Sequence, residues 1–231
     1  MNKFDQRLRE YLSLHRELVS RLLIVAGVSL CIGVLVIGAF HFRFPLEDDA
    51  YISLRYARDL ARGYGLVYNP GEYVEGYSDL LWVLVLSVFY YLHMNAELMS
   101  SLLGIACSCL CVPIIYKGIG NESNPAPRMA GALLFASNVY VWYWSGKGME
   151  TTMYMLLLSG GAISLARALN TGSDTRLSSL FFGLAAVTRP EGILFGAFSF
   201  LMMAHARWKK RTAFKPLVIA GSLILHSENR A

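Results

Sequence analysis

Residues 22–40 read LLIVAGVSLCIGVLVIGAF, an apolar run without a charged side chain. A helix needs about 20 such residues to cross the hydrocarbon core of a bilayer, so the run predicts a membrane-spanning helix. Arg16 and Arg21 come before it and no small-residue cleavage site is present, so we expect a retained anchor rather than a removed signal peptide. The run decides the class of fold, because in lipid only helices and closed barrels satisfy every backbone hydrogen bond.

The rest of the chain has the composition of a polytopic membrane protein. Of its 231 residues, 55% are hydrophobic and 16% are charged, and the mean hydropathy is +0.43. An ordinary soluble domain of this size is less apolar. We therefore expect an all-α bundle of membrane helices. Further apolar segments lie at 80–94, 98–116, 129–144, 152–166, 177–188 and 192–204, with an incomplete one at 217–225.

The incomplete segment at 217–225 bears on how the chain is organised. It has fewer apolar residues than a spanning helix needs, and polar residues follow it at 226–231. We therefore expect either the N-terminal part of a longer protein or the inactive product of a broken reading frame. The predicted divisions are a cytoplasmic segment at 1–21 and a truncated transmembrane module at 22–231, with a first extracytoplasmic loop at 41–79.

The formal charge of +5 comes from basic residues dispersed between the apolar runs. This is the pattern of cytoplasmic loops and not of a nucleic-acid surface, so we predict no nucleic-acid partner. The positive-inside rule places the N-terminus and the basic loops in the cytoplasm, and it places the first loop and the turns at 146–151 and 188–192 on the outer side. The basic loops are 117–128, 167–176 and 205–215.

The segment at 80–94 decides whether this topology holds. It must begin and end on the outer side, and its fifteen residues are short for a span. We therefore predict a re-entrant or interfacial helix. A full crossing would instead move the later turns to the cytoplasm.

Residues 46–79, LEDDAYISLRYARDLARGYGLVYNPGEYVEGYSD, contain seven of the sixteen carboxylates of the chain. Carboxylates beside a bilayer indicate a functional site. Asp48 and Asp49 stand at the start of this stretch. Such a carboxylate can act as a general base, hold a divalent cation or cap a helix. Two adjacent ones, with Glu47 before them and Glu75 among those that follow, favour function.

The stretch at 50–62 predicts an amphipathic helix on the membrane surface, with either aspartate of the pair as its N-cap. Arg55, one turn beyond the aspartates, is the candidate for contact with a substrate phosphate. Arg58 and Arg62 share its edge of the helix, and phospholipid head groups would explain them at least as well.

Two further outward turns carry complementary charges: the GMET turn (148–151), with Glu150, and the TRPEG turn (188–192), with Arg189 and Glu191. A tight turn explains the proline and the glycines. It does not explain the charges. Arg189 and Glu191 either pair with each other, or Arg189 holds a phosphate through two hydrogen bonds.

The stretch DDAYISLRYARDLARGYGLVYNPGEYVEGYSDLLW (48–82), the GMET turn and the TRPEG turn together resemble the GT-C superfamily of integral-membrane glycosyltransferases. The likeness is closest to the polyprenyl-phosphate-sugar-dependent group that includes the terminal arabinofuranosyltransferases of mycobacterial cell walls. It covers about residues 20–225. Members of this group are longer, with further helices and often a C-terminal extracytoplasmic domain.

The resemblance implies an inverting transfer of a sugar from a polyprenyl-phosphate donor to a glycan, lipid or protein acceptor at the outer face of the plasma membrane. Asp48 or Asp49 would deprotonate the acceptor hydroxyl, and cationic groups would offset the charge of the leaving phosphate. A divalent cation is left open, because metal dependence varies within the superfamily. The predicted substrate-binding residues are Arg55, Glu75, Glu150, Arg189 and Glu191.

The alternative is a transporter or lipid-binding membrane protein whose outward charges line a substrate path. A transport site would place polar residues near the middle of the spans. The charges of this chain stand at segment ends instead, which favours interfacial chemistry on a lipid-linked donor.

Overall fold

A computed structural model describes residues 3–118, 124–172, 175–206 and 208, and the apolar segment at 217–225 lies outside them. Over the described residues the chain is helical without a β-strand, apart from one isolated bridge between Asn69 and Glu72. The predicted all-α membrane bundle is confirmed. Three of the described helices are long and apolar enough to span a bilayer: Leu14–His41, Ala96–Gly118 and Thr151–Thr171.

The described helices follow the predicted apolar segments, with two differences. The first helix runs without a break through the predicted boundary at 21/22. The predicted segment at 129–144 is divided between two helices. In chain order the helices are α1 (Lys3–His41), α2 (Asp48–Ala61), α3 (Leu80–Tyr91), α4 (Ala96–Gly118), α5 (Pro125–Ala136), α6 (Val139–Gly146), α7 (Thr151–Thr171), α8 (Arg176–Thr188) and α9 (Gly192–Ala206).

The break between α5 and α6 has a local cause. The Asn138 side chain accepts a hydrogen bond of 2.9 Å from the backbone N–H of Tyr140 and so acts as the N-cap of α6. Asparagine competes with helical backbone bonding in this way and favours helix starts over helix interiors. The prediction of one helix over the apolar segment 129–144 was therefore wrong.

Small residues let α4 approach α6 and α7 closely. A Cβ added to Gly104 would lie 2.5 Å from the Ser145 carbonyl oxygen, which is closer than real Cβ contacts occur. The Thr152 hydroxyl donates to the Gly104 carbonyl over 3.0 Å, and the hydroxyls of Ser108 and Ser145 lie 2.6 Å apart. Close backbone approach at small residues, joined by side-chain hydrogen bonds, is typical of membrane helix packing.

Contacts at the two ends of the bundle define the direction of each helix. At one end, Gly146 packs against the last turn of α1, since a Cβ there would lie 2.8 Å from the Ala39 carbonyl oxygen. At the other end, the Arg128 guanidinium donates to the Tyr116 carbonyl over 2.8 Å, and Arg167 donates to the Lys117 carbonyl over 3.4 Å. The described basic loop residues therefore gather at the end opposite the first loop.

The α3 helix enters and leaves at the end of the bundle that carries the first loop. Near its start, the Trp82 indole donates to the Gly148 carbonyl over 3.0 Å. Ser100, in the first turns of the following α4, also lies beside Gly148. Twelve residues reach about 18 Å as a helix, which is less than the roughly 30 Å of a bilayer core. That α3 does not cross the bilayer stays a prediction.

Candidate functional site

The α2 helix begins at Asp48, and its N-cap is Glu47, so the prediction of an aspartate N-cap was wrong. The Glu47 N–H donates to the Lys147 carbonyl over 3.2 Å, which fixes this residue in an extended conformation ahead of the helix. The Glu47 carboxylate makes no cap and instead accepts a hydrogen bond from the Tyr143 hydroxyl. Asp48 and Asp49 thus occupy the first turn, exposed, where the helix dipole favours negative charge.

The apolar face predicted for α2 is buried against other helices of the bundle. Ala50, Leu54 and Ala57 are almost fully buried and join Trp82 and Leu86 of α3 in one core cluster. Burial of this face holds α2 in one orientation, because each buried large apolar side chain contributes about 1.5–3 kcal/mol. The exposed aspartates are therefore carried on a firmly packed helix.

Arg55 holds the first loop together. Its Nε donates to the Tyr68 carbonyl over 2.8 Å, its Nη2 donates to Asn69 Oδ1 over 2.7 Å, and its Cζ lies 4.4 Å from the centre of the Tyr68 ring. These contacts give the side chain a bracing role within the loop. Its contact with a substrate phosphate stays a prediction.

Tyr56 fixes the second half of the loop. Its hydroxyl donates to the Val74 carbonyl over 2.7 Å and accepts from the Gly76 N–H over 2.9 Å. Glu75 lies between these two anchored residues and is exposed. Glu75, for which a substrate-binding role was predicted, therefore lies in a part of the loop that the buried Tyr56 holds in place.

Three segments distant in sequence bring buried charges together beside Asp79. Glu150 Oε1 lies 3.1 Å from Arg189 Nε, and Asp79 Oδ2 accepts a hydrogen bond of 2.7 Å from the Ser53 hydroxyl. Asp79 is 4% exposed and Glu150 is 3% exposed. The ion pair between Arg189 and Glu191 that the sequence allowed is not formed, and Arg189 pairs with Glu150 instead. Glu191 lies close enough to act electrostatically on Glu150.

Burial raises the pKa of both carboxyls above the ordinary range. For Asp79 desolvation is the largest cause, and the hydrogen bond from Ser53 opposes it. For Glu150 desolvation again comes first, the negative charge of Asp79 adds to it, and the positive charge of Arg189 opposes it. Two carboxylates in a poorly solvated place with one guanidinium hold protons more firmly than free ones do.

Sequence reasoning missed Lys147, which ties the GMET turn to the start of the first loop. Its side chain is buried, and its Nζ donates to the Pro45 carbonyl over 2.7 Å and lies 4.8 Å from the centre of the Tyr143 ring. A lysine between two glycines just before Met149 and Glu150 was the available signal. Asp79 was missed as a site residue too, although it is the last carboxylate before the apolar segment of α3.

The structure therefore brings Asp48, Asp49 and Glu150 to one end of the bundle, with Arg189 and Glu191. The link between the aspartates and the GMET turn is the backbone bond from Glu47 to Lys147. Among the described residues there is no group of three His, Cys, Asp or Glu side chains arranged to hold a metal ion.

The fold and these residues define an integral-membrane helical bundle with a charged site at one end. The chain is 27% identical over 224 residues to the terminal β-(1→2)-arabinofuranosyltransferase of Mycobacterium tuberculosis (strain ATCC 25618 / H37Rv), a match covering 89% of this chain and 35% of the relative. It is 25% identical over 211 residues to the protein of the same name from Corynebacterium glutamicum, covering 78% of this chain and 30% of the relative. The predicted likeness to terminal arabinofuranosyltransferases is thus confirmed as a distant relationship.

The chain spans about a third of the length of these curated relatives. No protein-family profile matches it. No solved structure matches it either.

Proposed function

We propose that this chain carries the catalytic loop of a membrane glycosyltransferase of the GT-C type, which moves a sugar from a polyprenyl-phosphate donor to a glycan, lipid or protein acceptor. The observation that carries the proposal is the meeting of the first loop, the GMET turn and the TRPEG turn at one end of the bundle, where Asp48 and Asp49 are exposed. The distant relationship to two proteins named arabinofuranosyltransferases supports it.

In the proposed reaction, Asp48 or Asp49 takes the proton of an acceptor hydroxyl. The hydroxyl oxygen attacks the anomeric carbon from the face opposite the donor phosphate, and the anomeric bond to the phosphate oxygen breaks. The phosphate leaves with the electron pair, so the configuration is inverted. A base must reach its substrate, and the exposed aspartates of α2 meet this requirement better than the buried Asp79 and Glu150.

Arg189 has a double role in this proposal. Its Nε pairs with Glu150, which anchors the TRPEG turn, and its Nη groups serve the phosphate. Its side chain is 36% exposed, so substrate can reach it. Arg55 would support the phosphate in the same way, while Glu75, Glu150 and Glu191 would accept hydrogen bonds from sugar hydroxyls. A divalent cation would be held by the exposed carboxylates Asp48 and Asp49 and would supply positive charge near the donor phosphate.

Two features support interfacial chemistry over the alternative of a transporter. In α4 the charged residues stand only in the first and last turns, at Glu97 and Lys117. The described basic loop residues lie at the opposite end of the bundle from the carboxylates. With the basic end in the cytoplasm, the site faces the outer side of the plasma membrane and the N-terminus is cytoplasmic.

The test is sugar transfer by the purified full chain in lipid nanodiscs, using radiolabelled polyprenyl-phosphate sugars and cell-envelope acceptors. We expect Asp48→Asn or Asp49→Asn to lower the rate about 100-fold or more, since a general base contributes a factor of about 10²–10⁴. Glu17→Gln is the control, because Glu17 is an exposed carboxylate on α1 before the apolar run. Absence of transfer by the wild-type chain would refute the activity, and normal rates in both aspartate variants would refute the base.

A further inference from the structure

Arg43 is an unused cation at the end of the bundle that carries the site. Its Nε is buried and has no hydrogen-bond partner. Its Cζ lies 4.9 Å from the centre of the Phe40 ring and 5.0 Å from that of the Phe44 ring. The two rings hold the guanidinium by cation–π attraction without giving it a counter-charge. A buried N–H without a partner, such as this Nε–H, is costly to keep.

The neighbouring cations are already occupied by protein oxygens. Lys147 donates to the Pro45 carbonyl, and Arg189 pairs with Glu150. Arg43 is held in place at the same time, because a Cβ on Gly146 would lie 2.9 Å from the Arg43 Cα. Among these three described cations, Arg43 is therefore the one whose guanidinium has no protein oxygen as a partner.

An apolar notch shares the Phe40 ring with this arginine, although Arg43 itself is not among the residues that line it. It has a volume of about 720 Å³ and lies between the last two turns of α1 and the start of α6. From Val34 to Phe40 it extends over about 9 Å along α1, at the level where the chain leaves the apolar span. Phe40 belongs both to the notch and to the cation–π pair with Arg43. Other residues that line it are Ile37, His41, Val139 and Trp142.

We propose that Arg43 and this notch form a binding site for a phosphate group carried on an apolar chain. The guanidinium binds the phosphate through its Nη groups, His41 stands at the mouth as a second donor, and the apolar chain lies in the notch. Charge complementarity selects this occupant, since a neutral lipid would leave Arg43 without a counter-charge.

Two lipids share this chemistry: a polyprenyl phosphate, as in the proposed donor, and an anionic phospholipid of the membrane. The first rests on the proposed function. Arg43 precedes Asp48 by one short connection, so a donor phosphate bound there would lie at the same end of the bundle as the proposed base. The second would make the notch an anchoring site.

The experiment measures binding and not transfer, so that its failure and the failure of the proposed function are distinguishable. The full chain in phosphatidylcholine nanodiscs is titrated with radiolabelled farnesyl phosphate and with farnesol. We expect farnesyl phosphate to bind at least tenfold more tightly. Arg43→Gln removes that difference, Arg43→Lys keeps part of it, and Val139→Trp weakens both ligands by filling the notch.

Matched controls are Arg62→Gln, an exposed arginine at the far end of α2, and Leu30→Trp, an exposed position on α1 outside the notch. Equal weakening by Arg62→Gln and Arg43→Gln would mean non-specific surface charge and would overturn the site. So would unchanged binding in an Arg43→Gln or Arg43→Lys variant that keeps the wild-type melting temperature. Displacement by phosphatidylglycerol assigns the site to membrane lipid; displacement by polyprenyl phosphate alone assigns it to the donor. Either result supports it.

Discussion

Arg189 Nε lies 3.1 Å from Glu150 Oε1, so the residue that follows α8 is paired with the residue that precedes α7. This pair closes the α7–α8 hairpin at the end that carries the first loop. Asp79, at the start of α3, adds a second buried carboxyl whose charge acts on both partners. The ion pair thus contributes both to the packing of the α7–α8 hairpin and to the candidate site.

Loss of the guanidinium should destabilise the fold. Removing one partner of a buried ion pair costs about 3–5 kcal/mol, and the 36% exposure of Arg189 reduces this. We expect Arg189→Gln to lower the free energy of unfolding by about 1–3 kcal/mol, measured by denaturant unfolding in detergent. In a double-mutant cycle, Glu150→Gln with Arg189→Gln should cost less than the sum of the single changes. Arg21→Gln, at an exposed pair, is the control; strict additivity would contradict the coupling.

The buried carboxyls predict a pH dependence of stability. The pKa of Asp79 is raised in the folded chain above its ordinary 3.8, and that of Glu150 above 4.5. The folded state therefore binds protons more tightly than the unfolded one, so this stability is present below those ordinary values and is lost as the pH rises through the folded pKa. We expect the melting temperature of the Asp79→Asn variant to increase relative to that of the wild type as the pH rises. A difference in melting temperature that does not change with pH would refute this.

The close approach at Gly104 predicts a packing defect. Gly104→Ala places a Cβ 2.5 Å from the Ser145 carbonyl oxygen, where backbone must move. We expect a loss of about 1–3 kcal/mol, typical of overpacking, in the free energy of unfolding. Gly33→Ala is the matched control, because nothing lies within 4 Å of its added Cβ. Similar stability of the two variants would show that α4 does not depend on this contact.

The two hydrogen bonds of the Tyr56 hydroxyl predict that this side chain keeps the loop ordered at 74–76. Tyr56→Phe removes the bonds to Val74 and Gly76, so this part of the loop should open more often. We expect faster limited proteolysis near Tyr73, which is 87% exposed. Tyr51→Phe, at an exposed position of the same α2 helix, should cut at the wild-type rate. Unchanged cleavage in the Tyr56 variant would remove the anchoring role.

Cysteine labelling can test which end of the bundle faces the outside of the cell. Cysteines introduced at Glu75 in the first loop and at Ala126 at the start of α5 occupy exposed positions at opposite ends. A membrane-impermeant thiol reagent added outside whole cells should label the first and not the second. Of the four native cysteines, Cys31, Cys107 and Cys111 are buried and Cys109 is partly exposed, so the unmodified chain provides the background. Labelling of the Ala126 position alone would reverse the proposed orientation.

Much of the fold follows from the sequence, because lipid allows few structures and apolar length defines the spans. The run at 22–40 predicted α1, and the apolar segment at 80–94 predicted the α3 helix. The apolar sector of α2 was also readable from its helical period. The break at Asn138 was not, because local capping there overrides a continuous apolar composition.

Of the site, the sequence supplied the types of side chain, and charge patterning supplied their common side of the bundle. The sequence did not show which side chains pair with each other. Arg189 was expected beside Glu191, its neighbour in the chain, yet it pairs with Glu150, because two antiparallel helices bring their ends together. The signals for Asp79 and Lys147 in the sequence were weak, and these residues and Arg43 become notable through burial and through missing or distant partners.

The sequence by itself determined a helical membrane protein with an acidic first loop, because hydropathy and charge are local properties of composition. Only the tertiary structure decided which charges are buried and which stay exposed. Asp48 and Asp49 remain in solvent at the start of α2, while Asp79 and Glu150 lose their water in the cluster beneath it. Desolvation depends on what packs against a side chain, and no local pattern encodes that.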